Sequence, residues 1–311
     1  MNIITVTVNP ALDLHISSPD FERGGYNNAT VISRDSAGKG VNVSRALTEN
    51  QTENLCYMIL GREGYGEFIA PLEARGMKLV YTLTDGRVRE NINIHHTGEE
   101  TVIATRGPAA CAREVKDMEE KLLPLVSGDS IIVFSGSISD GSDKQAILSA
   151  LYKFKSAGAA LVIDSKSLDL EEIISLKPYL IKPNEREAEA LTGLSITDLT
   201  SAAVAAAAMR DMGCENVLLT LGELGGVLAS GEGIFAATVP NVKVMSTVGA
   251  GDSTIAGFLA AKMAREGSRD VLATALAYGT AACMEEGSLP PRRENIEKLI
   301  PLIKIDHMRD M

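Results

Sequence analysis

The chain is short of the features that mark several large protein classes. Its 311 residues hold only four cysteines, Cys56, Cys111, Cys214 and Cys283, with no C-x-x-C pair among them. That spacing argues against a disulfide framework or a cysteine zinc site and leaves four reduced, mostly buried thiols. Positive charge is also scarce, with 30 Lys and Arg against 41 Asp and Glu and a net charge of −11. A nucleic-acid footprint is therefore excluded, and an anionic substrate needs a local positive site rather than a global field. No apolar run approaches the ~18 residues of a membrane span. The start, MNIITVTVNP, has no basic n-region and reads as a strand. The expected location is the cytoplasm, with neither nucleic acid nor membrane as partner. Two common nucleotide signatures fail as well. Gly38-Lys39 is followed by Gly40 where a P-loop needs Ser or Thr, and Thr254 stands where a G-x-G-x-x-G run needs its third glycine.

What is present is an alternation of strand and helix. Strand-like runs fall at Ile3–Val8, Leu55–Leu60, Ile131–Phe134, Ala160–Asp164, Tyr179–Ile181 and Val217–Leu221. Helical spacing falls between them at Val41–Leu47, Tyr65–Arg75, Arg113–Val126, Lys144–Ser156 and Ser201–Met212, and dominates from Asp252 to Leu302. The alanines of Ala202–Ala208 are simply strong helix formers. Nearly all-apolar strands alternating with helices imply a parallel sheet covered on both faces. Two segments, about 13–34 and 87–106, alternate polar and apolar instead. They read as a small antiparallel flap over one end of the sheet, where ligands of parallel sheets bind and a flap acts as a lid. His95 and His96 lie in that flap on opposite faces and are read as ordinary lid or surface residues. The whole chain, 1–311, is expected to form one domain.

Five stretches carry chemistry-bearing residues. Thr247-Val248-Gly249-Ala250-Gly251-Asp252-Ser253 runs into a helix, so small residues surround free N–H groups at the positive end of a helix dipole. It is an anion site or an aspartate N-cap after a flexible turn. Ser36-Ala37-Gly38-Lys39-Gly40-Val41-Asn42 also opens a helix, with an ammonium beside the free amides, or with a solvated lysine in a glycine turn. In Lys182-Pro183-Asn184-Glu185-Arg186-Glu187, Asn184 and Glu187 share a helix face. They are either an N-cap with a first-turn acid or an amide and a carboxylate that hold magnesium through water. Thr220-Leu221-Gly222-Glu223-Leu224-Gly225-Gly226 is a glycine turn that wraps a base or phosphate, or a plain hairpin. Asp13, just past the first strand, binds sugar hydroxyls or makes a turn.

Their order along the chain resembles the ribokinase-like carbohydrate kinases of the PfkB family, over essentially the whole length. VNPALD and AGKGVNVSRAL resemble the branch that holds 1-phosphofructokinases and tagatose-6-phosphate kinases. The resemblance implies a three-layer α/β/α sandwich with a mostly parallel central sheet and a small antiparallel β lid. It implies ATP and Mg²⁺ as cofactors, with K⁺ a further candidate near Ser288. It makes Asp252 the general base and the amides of Gly249, Ala250, Gly251 and Asp252 the anion hole. Lys182, Asn184, Thr220, Gly222 and Gly225 fall at the nucleotide, with Asn184 and Glu187 organising magnesium. Asp13, Gly38 and Asn42 fall at sugar hydroxyls. Lys39, Arg89 and Ser137 fall at the phosphate already on the substrate, with Arg106 a weaker candidate. The implied acceptor is a sugar phosphate, fructose 1-phosphate first, then tagatose 6-phosphate or fructose 6-phosphate. A free sugar or nucleoside, or a non-catalytic regulator, are the rivals. A homodimer joined through the lid follows from the same resemblance. Two departures are Ala37 where relatives often carry glycine, and Thr105-Arg106-Gly107-Pro108, which keeps only part of an acidic lid-return pattern.

Overall fold

Alternating faces along each strand decide the layering. In the first strand Ile4 and Val6 point into one buried cluster and Ile3 into another, so both sides of the sheet must be covered. The computed structural model describes residues 2–308. Its strands are β1 (Asn2–Thr7), β2 (Ala11–Ser17), β3 (Thr30–Ala37), β4 (Asn54–Glu63), β5 (Leu79–Arg87), β6 (Arg89–His96), β7 (Glu99–Ala104), β8 (Ser130–Ser135), β9 (Ala160–Asp164), β10 (Leu180–Ile181), β11 (Asn216–Thr220), β12 (Gly226–Ser230), β13 (Gly233–Thr238) and β14 (Lys304–His307). The helices are α1 (Lys39–Glu49), α2 (Tyr65–Ala74), α3 (Ala112–Leu122), α4 (Lys144–Ser156), α5 (Leu170–Ser175), α6 (Glu185–Thr192), α7 (Leu199–Asp211), α8 (Ala250–Met263), α9 (Ser268–Ala282) and α10 (Arg293–Leu299).

Ten strands form one sheet in the order β14-β13-β12-β11-β10-β9-β8-β1-β4-β5. Every pair from β11 to β5 is parallel, and β12, β13 and β14 add an antiparallel edge. Residues of α3, α4 and α7, among them Met118, Phe154 and Ala205, fill one face. Residues of α1, α8 and α9, among them Leu47, Phe258 and Leu272, fill the other. The result is the expected three layers. No helix among the described residues is long and apolar enough to cross a membrane.

The lid is a separate four-stranded sheet, β3-β2-β6-β7. Its two outer pairs are antiparallel and its central pair, β2 with β6, is parallel. Its edges are wet: β7 is largely exposed, and Val31, Ile32, Val102 and Ile103 stand half or more in solvent.

Four strands escape the sequence reading. β5 sits immediately before the lid segment, and its ending LTDGR blurs into it. The hairpin β12–β13 and the terminal β14 are short, with few of the β-branched residues that signal strands. The helix expected over Arg113–Val126 ends at Leu122 and continues as a 3₁₀ turn, Leu123–Leu125, at Pro124. All four cysteines are free. Cys56 and Cys214 are buried and Cys283 half-buried, whereas Cys111 is exposed as the residue before α3. Ala37 is not among the positive-φ residues, so it replaces a glycine without strain.

Candidate active site

The parallel strands end on one side of the sheet, and the chemistry-bearing residues end there with them. Asn9 and Asp13 follow β1, Ser137 follows β8, Asp164 ends β9, Lys182 follows β10 and Thr220 ends β11. The chain order reverses across β1, whose neighbours are β8 and β4, which opens a crevice at that point.

Helices α1 and α8 point their first turns into it. Gly249 caps α8 with φ +78° and Gly38 caps α1 with φ +141°, and neither cap offers a side chain to the helix amides. A side chain at Gly249 would have to adopt the left-handed backbone that glycine alone enters freely. The Ala250 amide donates to the Thr247 carbonyl at 3.3 Å and that of Ser253 to Gly249 at 2.8 Å. The amides of Gly251 and Asp252, with no side-chain cap over them, remain for an anion. Lys182 leans over this turn: a Cβ on Gly251 would lie 3.1 Å from its Nζ.

Asp252 is buried in the first turn of α8. Asn42, one turn into α1, donates from Nδ2 to Asp252 Oδ2 at 2.9 Å. Burial pushes the Asp252 carboxyl up to about 6, reinforced by the like charge of Asp164 and opposed by Asn42, Lys39 and Lys182. Lys39 Nζ lies 3.1 Å from both oxygens of Asp164. Burial alone would lower the Lys39 ammonium, but Asp164, Asp252 and Glu187 together hold it above its ordinary value. Lys39 thus pairs directly with Asp164 and lies in the field of Asp252 and Glu187.

Asn9 draws two more expected residues together. Its carbonyl accepts from Arg89 Nε at 3.2 Å and its amide donates to Ser137 Oγ at 3.1 Å. Asp13 is buried on β2 and accepts from Asn91 at 2.7 Å; burial raises its carboxyl and the Asn91 bond opposes that. Arg106 stays outside the cluster, 89% exposed and 3.8 Å from Asp140.

The Asn184–Glu187 pair caps its helix. Asn184 Oδ1 accepts the Glu187 amide at 2.9 Å and Glu187 Oε2 accepts the Asn184 amide at 3.0 Å, a reciprocal capping box that opens α6. Glu187 Oε1 remains, 3.6 Å from Lys166. Glu187, Asp164, Lys166 and Lys182 line a cavity of about 380 Å³. A second cavity of about 460 Å³ has Thr220, Gly222 and Gly225 on one wall, Val239, Val242 and Leu276 as apolar surface, and Ala250 and Gly251 at its end. Asn184 pairs with Thr220 through the backbone, which holds the two stretches together. Apolar walls ending on free amides fit a nucleotide, and Glu187, whose Oε1 has only Lys166 at 3.6 Å, with the Lys39-paired Asp164 on the same cavity, fits a hydrated magnesium ion.

Asp164, Asn9 and Asn91 were not singled out in the sequence. Asp164 had a visible signal, a lone charge ending the apolar strand Ala160–Asp164. Asn9 and Asn91 act through contacts 78 to 128 residues apart in the chain, which no local pattern reveals.

The fold and these residues define a phosphotransferase that uses a hydroxyl acceptor. The sequence profile of the pfkB family carbohydrate kinases matches residues 9–295, and the chain belongs to that family. It is 29% identical over 308 residues to the 1-phosphofructokinase of Bacillus subtilis, covering 98% of this chain and 100% of that one. It is 28% identical to a tagatose-6-phosphate kinase of Staphylococcus epidermidis, covering 97% and 99%. Its fold superposes on phosphofructokinase-2 of Escherichia coli, solved with substrates and products, at a TM-score of 0.90, 23% identity and 97% and 99% coverage.

Proposed function

We propose that the chain transfers the γ-phosphoryl group of ATP to a hydroxyl of a sugar phosphate, with fructose 1-phosphate the preferred acceptor. The observation that carries this is the pairing of a buried carboxylate, Asp252, with the uncapped amides of its own helix. Asn42 holds Oδ2 of Asp252, which leaves Oδ1 to accept the acceptor's proton. A carboxyl raised to about 6 is ionised at neutral pH and is closer to the useful range for a base than an exposed aspartate. The Gly251 and Asp252 amides and Lys182 face the charge that develops on the transferring group. Lys39, Arg89 and Ser137 supply the local positive and polar contacts for the phosphate already on the sugar, and Asp13 and Gly38 meet its hydroxyls. When bound, ATP supplies the phosphoryl group and magnesium screens its charge. Glu187 Oε1 and Asp164 are the residues that would hold the metal, through water; Thr220, Gly222 and Gly225 would hold the nucleotide.

Ser288 Oγ already accepts from the buried Arg45 guanidinium at 3.2 Å. That leaves backbone carbonyls of its loop for a potassium ion, and no step is routed through one. The exposed Val31, Ile32, Val102 and Ile103 of the lid support a homodimer that covers them, with light scattering as the check.

The test is a coupled ADP-release assay with MgATP and four acceptors: fructose 1-phosphate, fructose 6-phosphate, tagatose 6-phosphate and free fructose. The proposal expects kcat/KM for fructose 1-phosphate at least ~10-fold above the rest, about 1.4 kcal/mol of discrimination. Preference for tagatose 6-phosphate keeps the mechanism and changes the acceptor. Turnover of free fructose alone overturns the roles of Lys39 and Arg89.

A further inference from the structure

Register in the lid sheet brings His15 against His95, 80 residues away in the sequence, and His95 against Glu100 across the β6–β7 turn. β2 and β6 run parallel with His15 opposite Asn93, and β6 and β7 run antiparallel with His95 opposite Glu100. Asn93 and His95 are two apart, so they share a face. His15, His95 and Glu100 therefore stand on the same side of three adjacent strands. His15 Nδ1 is 3.0 Å from His95 Nε2, and His95 Nε2 is 3.9 Å from Glu100 Oε1. All three ligand atoms lie within 4.8 Å of one another. The rings stack with centroids 5.3 Å apart, and the facing nitrogens share a hydrogen bond whose proton a bound metal would replace.

We propose that this cluster is a binding site for a zinc-class divalent cation, separate from the magnesium expected at the nucleotide. Metal–nitrogen bonds of 2.0–2.1 Å in a tetrahedron place two nitrogens roughly 3.3 Å apart, so the histidine pair needs to open only slightly. Glu100 is 39% exposed on a strand edge and closes the remaining gap by rotation. Two imidazoles and one carboxylate, with a fourth position left to water, form a set that zinc, cobalt, nickel and copper accept. Magnesium demands oxygen ligands in an octahedron and is excluded by the same chemistry. An ion there ties β2, β6 and β7 together, two residues along β2 from Asp13.

The sequence shows His95 and His96 only as lid residues on opposite faces. The site arises instead from sheet register, which the spacing of His15, His95 and Glu100 does not betray. His96, on the opposite face, bonds Thr101 at 2.9 Å and takes no part.

The test uses the untagged full chain stripped with chelator, then titrated with zinc or cobalt(II) in excess magnesium without nucleotide. The expected result is uptake of about one ion per chain, with the visible band of tetrahedral cobalt and no thiolate charge-transfer band. His95→Ala and Glu100→Gln are each expected to weaken binding by at least ~100-fold, more than loss of an outer-shell partner costs. His96→Ala is expected to bind as the parent does. His15 is buried, so the exposed pair carries the test and circular dichroism checks each variant's fold. No uptake, a thiolate band, or equal binding by His95→Ala would overturn the proposal. Because no nucleotide or sugar is present, failure here leaves the kinase reading untouched.

Discussion

Helices α8 and α6 begin beside the same crevice and begin differently. Asn184 and Glu187 consume the first amides of α6 in a reciprocal box. Gly249 gives the first turn of α8 no side-chain acceptor, and Gly38 does the same for α1. Away from the crevice, Asp143, Asp169 and Asp198 cap α4, α5 and α7 in the ordinary way. A capped start is complete in itself, since its amides have protein partners. An uncapped start is costly unless solvent or a ligand answers it. The N-cap residues of α2, α9 and α10 also give their helices no side-chain bond, but the uncapped starts of α1 and α8 are the ones that bring Lys39 and Asp252 to the crevice, and Asn42 joins them through its bond to Asp252. Asn184 closes a helix, and the same box leaves Glu187 Oε1 outside it.

The sharpest way to break this contrast is Asp252→Asn. Turnover is expected to fall at least ~10²-fold while nucleotide binding, measured by calorimetry, survives. Near-normal kcat would remove Asp252 from the chemistry. Next is Lys39→Ala. Loss of a charge-assisted bond worth about 1.5–3 kcal/mol should raise KM for the sugar phosphate by ~10-fold or more, with KM for ATP little changed. An unchanged KM for every sugar phosphate would strike out the phosphate assignment. Glu187→Gln keeps the capping geometry, because glutamine serves equally at that position. It should leave the melting temperature in place and raise several-fold the magnesium needed for half-maximal rate. An unchanged magnesium requirement would make α6 purely structural. The smallest effect is expected from Asn184→Ala, about 1 kcal/mol of stability by urea midpoint, the usual cost of a lost cap.

Much of this was legible in the sequence for a physical reason. Glycines that frame a helix start, as at Gly38 and Gly249, are a local signal, and so is the apolar run that follows each. The parallel core was legible because its strands are buried on both faces and read as continuous apolar runs. What stayed hidden depends on contacts across the fold. Lys39 reaches Asp164, 125 residues away, and Asn9 reaches Arg89 across 80 residues and Ser137 across 128. The antiparallel edge β12–β14 was hidden because short strands beside loops carry little periodic signal, and the nine-residue β5 because its end runs on into the lid segment. The N-x-x-E spacing was visible, but spacing alone does not separate a capping box from a metal pair, since both need the same two side chains three residues apart.

The most direct test of the account is the pH dependence of kcat/KM in the wild type and in Asn42→Ala. Asp252 is raised to about 6 from an ordinary aspartate value of 3.8. Between those values the folded protein holds a proton that the unfolded chain has released, so this group's contribution to stability falls as pH rises through the window. Activity needs the ionised carboxylate and should rise through the same window. The account predicts an acidic limb near pH 6 in the wild type. It predicts a limb at higher pH in Asn42→Ala, because the lost hydrogen bond had favoured the charged form. A profile flat from pH 5 to 8, or a limb that Asn42→Ala leaves in place, would contradict the claim that Asp252, set by this cluster, is the base.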